Sequence, residues 1–529
     1  MEAHMPCTTL LIGKKASYDG STIIARNEDS PGGVFTPKKF VVVKPEDQPR
    51  HYRSVLSHVE IELPDDPMRY TSVPDATPKD GIWAEAGVNT ANVAMSATET
   101  LTSNERVLGA DPLVELVKAK GTPGEDGYEP EVAGGIGEED MVTIVLPYAR
   151  SAREGVELLG SYLERYGTYE MNGIAFSDVD EIWWMETVGG HHWIAKRVPD
   201  DCYVTMPNQL GIDDFDLTDA LGEKVDHMCS ADLAEWMDAN HLDLSLDVVE
   251  LVDGDEDEEA DDLWPDADHR FFNPRDAFGS HSDSDHVYNT PRAWAMHRFL
   301  NPGLGWDDPN AGWNPEDDDI PWCMTPQRKL TIEDVKYALS LHYQGTPYDP
   351  YGDRGNASTR GAYRPIGINR NGQLAVIQIR PYAPESCRAI QWMAYGSNAF
   401  NALVPFFANV DATPEYLANT TPHVTTESFY WANRIIAAMA DAHFNSCSRH
   451  IEHYNEAVTS KGHALVAEYD RKVEGDGGTP LSYQEATPVL EEANARIADM
   501  LREQTDKTLD DVLLTASLGM RNAFALSDH

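Results

Sequence analysis

Apolar and polar positions alternate through much of the first two hundred residues and recur at helical spacing over the last hundred. The run Cys7-Thr8-Thr9-Leu10-Leu11-Ile12-Gly13 predicts a strand. Tyr18-Asp19-Gly20-Ser21 has hairpin turn chemistry, and Ile23 to Asp29 returns as the partner strand. Phe40 to Val43 is a short β-branched run, Val88 to Ala97 alternates loosely around Gly87 and Asn89, and Met141 to Leu146 reads as a buried strand. Ala152 to Tyr166 places Val156, Leu158, Leu159, Tyr162 and Leu163 at helical spacing. Gly173 to Phe176, Glu181 to Glu186 and Trp193 to Val198 read as a strand meander.

The pattern changes between about 210 and 345. Asp213 to Leu221 and Ser230 to Leu244 suggest helices, Asp253 to Asp262 is an acidic run expected as a solvated loop, and Asn301 to Pro321 is an irregular segment rich in Pro, Gly, Asp and Trp. Strands return at Leu374 to Ile379 and Ala389 to Tyr395. From about 425 four helices are predicted: Phe429 to His443, Ser446 to Arg471, Val489 to Thr505 and Leu509 to Leu526. This order predicts one mixed core over 7–424, interrupted by a helical insertion at about 210–345 and closed by a helical extension over 425–529. The returning strands argue against independent domains in series.

Composition narrows the function classes. A 529-residue chain with 41% hydrophobic content can bury a sizeable core. Its formal net charge of −48, with no basic cluster, repels nucleic acid and anionic lipid, so a nucleic-acid partner is excluded. Six dispersed cysteines without a CxxC pair argue against a zinc site of that type and fit a reducing compartment. No apolar segment precedes Cys7 as a secretory signal would, and no run is long enough to span a membrane. A cytoplasmic protein is expected.

Cys7 carries the chemistry most worth testing. An isolated cysteine is often a small buried core residue, but this one opens a strand directly after Pro6. The predicted hairpin also folds the charged cluster Arg26-Asn27-Glu28-Asp29 back towards it. A nearby arginine favours the thiolate. If residues 1–6 are removed as a propeptide, Cys7 carries both the nucleophilic thiol and a free α-amine able to act as its base.

These residues also carry a family resemblance. Cys7-Thr8-Thr9, Asp19-Gly20-Ser21 and Ala25-Arg26-Asn27-Glu28-Asp29-Ser30 resemble the start of the dipeptidase D family of cysteine dipeptidases, related to penicillin V acylases and bile salt hydrolases. Glu85 to Asn89 with Ala94 to Thr100, Gly137 to Val142, Pro147 to Gly155, Met206 to Gln209, Tyr288 to Arg292 and His342 to Tyr351 resemble further segments of that family, in order, out to about residue 410.

The resemblance implies an α+β fold, the four-layer αββα sandwich of N-terminal-nucleophile hydrolases, and autocatalytic removal of the leader. It implies Cys7 as nucleophile, Arg26 and Asp29 as flanking catalytic residues and Asn208 as an oxyanion donor. Asn89 lies in a segment that approaches the site, and Arg360 and Arg364 are both candidates for a late core arginine. The expected activity is hydrolysis of dipeptides through a thioacyl-enzyme, without metal or cofactor, in a homo-oligomer. Asp29, Glu28 or Glu139 is a candidate to hold the substrate ammonium. Two other readings stand beside this one: an amidohydrolase acting on acylated amino acids or bile-salt-like amides, and a catalytically silent, secernin-like interaction protein. The joint presence of Cys7, Arg26, Asp29 and Asn208 argues against silence.

Other signals carry less. His191-His192 project to opposite faces of a strand and chelate poorly. His281 and His286 are the better-spaced pair, but no HExxH accompanies them. Asp253 to Asp257 lacks the Gly and Glu of an EF-hand loop, Gly134 to Gly137 lacks the Lys of a phosphate loop, and no G-x-S-x-G occurs. Trp183, Trp184 and Trp193 read as packing residues.

Overall fold

A computed structural model describes residues 7–245, 270–308, 310–475 and 478–522. The leader 1–6 and the acidic run Asp253 to Asp262 lie outside the described residues.

Thirteen strands form two antiparallel sheets, and the fold is α+β. In chain order they are β1 (Thr8–Ile12), β2 (Thr22–Asp29), β3 (Ala86–Val88), β4 (Ala94–Thr100), β5 (Asn172–Ser177), β6 (Ile182–Val188), β7 (His192–Arg197), β8 (Tyr203–Met206), β9 (His227–Cys229), β10 (Cys323–Met324), β11 (Asn371–Ile379), β12 (Ala389–Tyr395) and β13 (Val404–Phe407). The first sheet has the order β10-β8-β1-β2-β11-β12-β13 and the second β9-β7-β6-β5-β4-β3.

The β1–β2 hairpin forms where the alternation and turn residues predict it. Thr8 pairs with Asn27 and Thr9 with Arg26. Asp19 Oδ1 accepts from Ser21 N at 3.1 Å, and Gly20 supplies the positive φ of 86° that the turn requires. Alternation then divides the strands. Leu11 and Ile24 join Ala375 and Ile377 in a core shared with Ala94, Ala175, Trp184 and Ile194 of the other sheet. Leu10, Ile12, Ile23 and Ala25 face the opposite way, into a second core with helical residues such as Ala293, Val335, Tyr469 and Leu490. A third core joins Met95, Ile174, Phe176 and Met185 to Met141, Val145, Val156 and Leu159.

Helices cover these outer faces. Against the six-stranded sheet lie α1 (Glu138–Val145) and α2 (Ala152–Tyr166). Against the other lie α3 (Asp283–Leu300), α4 (Ile332–Ala338) and parts of α6 (Phe444–Glu474) and α7 (Tyr483–Leu518), with α5 (Phe429–Asp441) preceding α6. The C-terminal helices seal a sheet edge: Asn494 of α7 donates to Phe407 O and accepts from Phe407 N, each at 2.9 Å.

Three segments differ from the reading of the pattern. Met141 to Leu146 is helical rather than a strand. Every residue of α1 is buried, so no polar face marks its period, and Asp140 Oδ2 accepts from Gly137 N at 2.9 Å to start the turn. Val489 to Thr505 and the described part of Leu509 to Leu526 belong to the single helix α7 up to Leu518. The polar residues at the expected break fit inside it because Thr505 and Thr508 donate to Leu501 O and Gln504 O. Segment 210–345 carries strands as well as helices. Phe215–Asp216 pairs with Phe271–Phe272, β9 extends one sheet beside β7, and β10 extends the other beside β8.

Candidate active site

Cys7 immediately precedes β1 and is fully buried. On β2, Arg26 lies opposite Thr9, and its Nη1 is 3.1 Å from Cys7 Sγ. The hairpin therefore delivers a cation to the thiol. Burial pushes that thiol well above its ordinary value, and Arg26 is the main opposing influence. A thiolate in this pocket needs both the arginine and a base.

Arg26 is held from several sides. It donates to Ser96 Oγ at 3.1 Å, Ala97 O at 2.7 Å and Thr98 O at 2.5 Å. Its Nη2 pairs with Glu85 Oε2 at 2.5 Å, and Glu138 Oε1 is 3.5 Å from Nη1. Behind Glu85 stands Lys38, also fully buried, 2.7 Å from Glu85 Oε1, 2.6 Å from Asp75 Oδ1 and 3.8 Å from Glu28 Oε1. This network of alternating charge fixes the guanidinium without solvent.

A second arm reaches Cys7 from the other direction. Arg292 of α3 donates to Cys7 O at 2.5 Å and Thr8 Oγ1 at 2.9 Å, and through Nη2 to Asn208 Oδ1 at 2.9 Å and Asn289 Oδ1 at 2.6 Å. Asn208, just after β8, donates one Nδ2 hydrogen to Thr100 O at 3.0 Å. An amide oxygen fixed by an arginine orients the NH2 group, which has a second hydrogen to offer an oxyanion.

Asp29 sits at the end of β2, where Arg364 and Asn371 donate to its two oxygens. Arg364 is therefore the arginine beside the site, and Arg360 is exposed. The Cζ atoms of Arg292 and Arg364 lie 5.1 and 5.3 Å from the centroid of the Tyr288 ring.

The three substrate-binding candidates lie in different surroundings. Glu28 is buried beside Lys38; burial pushes its carboxyl up to about 8, with Lys38 opposing. Glu139 accepts from Ser54 Oγ and from Leu56 N, organising that turn. Asn89 donates to Leu146 O at 2.8 Å and Ala149 O at 2.6 Å and accepts from Ala91 N and Val93 N, joining the β3–β4 turn to the end of α1. Of the other histidines considered, His191 and His192 both bond Asp111, while His281 and His286 bond the carbonyls of Asp276 and Glu316.

Sequence reasoning missed Lys38, Glu85, Glu99, Glu138 and Arg292. Arg292 closes the quoted Tyr288 to Arg292 motif, so a signal existed for it. Glu85, Glu99 and Glu138 also lie in quoted segments, Glu85 to Asn89, Ala94 to Thr100 and Gly137 to Val142, whereas Lys38 lies in none and its approach is a tertiary fact.

The chain matches the family model of peptidase family C69 over residues 6–457. It is 60% identical to a dipeptidase of Bifidobacterium longum (strain NCC 2705), covering 99% of this chain and 100% of that protein. It is 53% identical to a probable dipeptidase A of Streptococcus pyogenes serotype M3, again over 99% and 100%. Dipeptidase A of Lactobacillus helveticus is 41% identical over 96% of each chain. These matches bear out the resemblance carried by the motifs, and the protein is a peptidase that belongs to peptidase family C69.

Proposed function

We propose that this protein is a cysteine dipeptidase whose nucleophile is Cys7, exposed as the N-terminal residue by autocatalytic removal of residues 1–6. The observation that carries the reading is the buried Cys7 Sγ at 3.1 Å from Arg26, with Asn208 brought to the same point by Arg292. The names of the relatives supply the substrate class. The three cores and their covering helices support a four-layer αββα sandwich.

In this mechanism the α-amine of mature Cys7 takes the thiol proton, and Arg26 stabilises the thiolate. The thiolate attacks the peptide carbonyl. The second Nδ2 hydrogen of Asn208 and a backbone N–H bear the oxyanion. The amine returns its proton to the leaving amino group, a thioester remains on Cys7, and water releases the first amino acid. Asp29, tied to Arg364, holds the edge of the site. No step needs a metal or cofactor.

The protein is also read as a cytoplasmic homo-oligomer. Among the described residues no helix is long and apolar enough to cross a membrane. Leu513, Leu514 and Leu518, exposed near the end of α7, offer apolar surface to a second copy. Light scattering of the purified protein tests the assembly. The activity is tested by comparing hydrolysis of dipeptides with that of N-acylated amino acids. Cleavage of dipeptides supports the reading, and cleavage restricted to acylated substrates supports the amidohydrolase instead.

A further inference from the structure

Glu99 has no part in the mechanism above, yet it lies within the same pocket. It is the penultimate residue of β4 and is fully buried. Its Oε2 accepts from Thr9 Oγ1 at 2.8 Å. Its Oε1 is buried without a hydrogen-bond partner among the described residues. Thr9 follows Cys7 by two residues where the chain enters β1, a spacing of roughly 6–7 Å for extended backbone. Among the carboxylates, Glu99 acts most strongly on the Cys7 thiol. The next residue, Thr100, supplies the carbonyl that holds the Asn208 amide at 3.0 Å. Nucleophile, amide donor and a carboxylate oxygen awaiting a donor therefore meet at one place.

We propose that Glu99 is the subsite for the free α-ammonium group of the substrate. This rests on the dipeptidase reading and names what makes the site select a free N-terminus. The α-nitrogen of the acylated residue is two covalent bonds from the attacked carbon. A group that binds it must stand close to the thiol, and Glu99, held by Thr9 two residues from Cys7, lies in that neighbourhood. Glu85 is engaged by Arg26 and Lys38, Asp29 by Arg364 and Asn371, and Glu138 by Arg26 and Thr98 N, while Glu28, whose oxygens also lack a hydrogen bond among the described residues, sits behind Glu85 beside Lys38. A buried carboxylate oxygen without a donor is costly, and an ammonium brings three donors and a compensating charge. Burial, opposed chiefly by Arg292, pushes the Glu99 carboxyl up to about 8, so an arriving cation favours its ionised form. A substrate with an acylated amine leaves Oε1 unpaired and is rejected on that account.

The test compares alanyl-alanine with propionyl-alanine, its analogue lacking the α-amine, in wild type, Glu99→Gln and Glu99→Asp. Each ligand is measured as an inhibitor of Cys7 alkylation at early times, before the dipeptide is depleted, alongside kcat/KM for the dipeptide. Wild type is expected to bind alanyl-alanine at least tenfold more tightly than the analogue. Glu99→Gln is expected to lose most of that preference and about 10²-fold in kcat/KM for the dipeptide. Glu99→Asp, which keeps the charge, is expected to keep part of the preference. Equal binding of the two ligands by wild type overturns the proposal without any variant, as does an undiminished preference in Glu99→Gln. Weakening of both ligands alike by Glu99→Gln assigns the residue a structural role and also overturns it. A wild type that hydrolyses no dipeptide overturns the dipeptidase reading itself, a result distinct from all of these.

Discussion

Replacing Lys38 by Met removes the cation that Glu28, Asp75 and Glu85 share, leaving Arg26 paired with Glu85 alone of the three, while keeping much of the side-chain volume. All three carboxylate contacts lie in a fully or largely buried network. Removing one partner of a buried ion pair costs about 3–5 kcal/mol, because the remaining charge is uncompensated. Protonation offsets part of this, so the cost depends on pH. Glu28 is already pushed up to about 8 and Asp75 is also raised, both by burial, with Lys38 the main opposing influence. Without Lys38 both titrate higher still. A group whose folded pKa is raised contributes stability that is complete below its unfolded value, near 4, and is lost as pH rises through the folded value. The deficit of Lys38→Met is therefore smallest near pH 5 and largest above pH 8. Urea unfolding followed by tryptophan fluorescence at both pH values measures it, and Lys38→Met/Glu28→Gln is expected to recover part of the loss at high pH. A deficit below about 1 kcal/mol, or one equal at the two pH values, refutes this account of the network.

Other expectations follow from the same geometry. Asn208→Ala is expected to lower kcat about 10²–10³-fold with a smaller effect on KM, measured by steady-state hydrolysis of a dipeptide. Asn89→Ala breaks four hydrogen bonds and is expected to cost about 2–4 kcal/mol in urea unfolding. If Asn89 binds substrate as well, KM rises in the folded fraction; an unchanged KM assigns it the turn alone.

The hairpin was legible because its determinants are local. The Asp-Gly turn and alternating runs fix which residues face inward, and Arg26 reaches Cys7 within that one unit. The α1 segment was misread because burial on all sides removes the polar face that distinguishes a helix from a strand. The expected break in α7 was misread because threonine hydroxyls satisfied within the helix look like turn residues in a sequence. Cys7, Arg26, Asp29 and Asn208 were named from the motifs, whereas Glu85, Lys38, Glu99 and Arg292 join them only through pairing of distant strands and the docking of α3. Periodicity reports which face is buried and carries no information on which charge it meets there.

Cys7 is proposed as the processed nucleophile. The most direct test is the intact mass of the purified protein before and after brief exposure to iodoacetamide, with the labelled peptide sequenced. The expected result is loss of residues 1–6 and rapid single labelling at the new N-terminal Cys7, suppressed in Arg26→Met. A protein active on dipeptides that keeps its leader, or whose Cys7 stays unlabelled while hydrolysis continues, contradicts it.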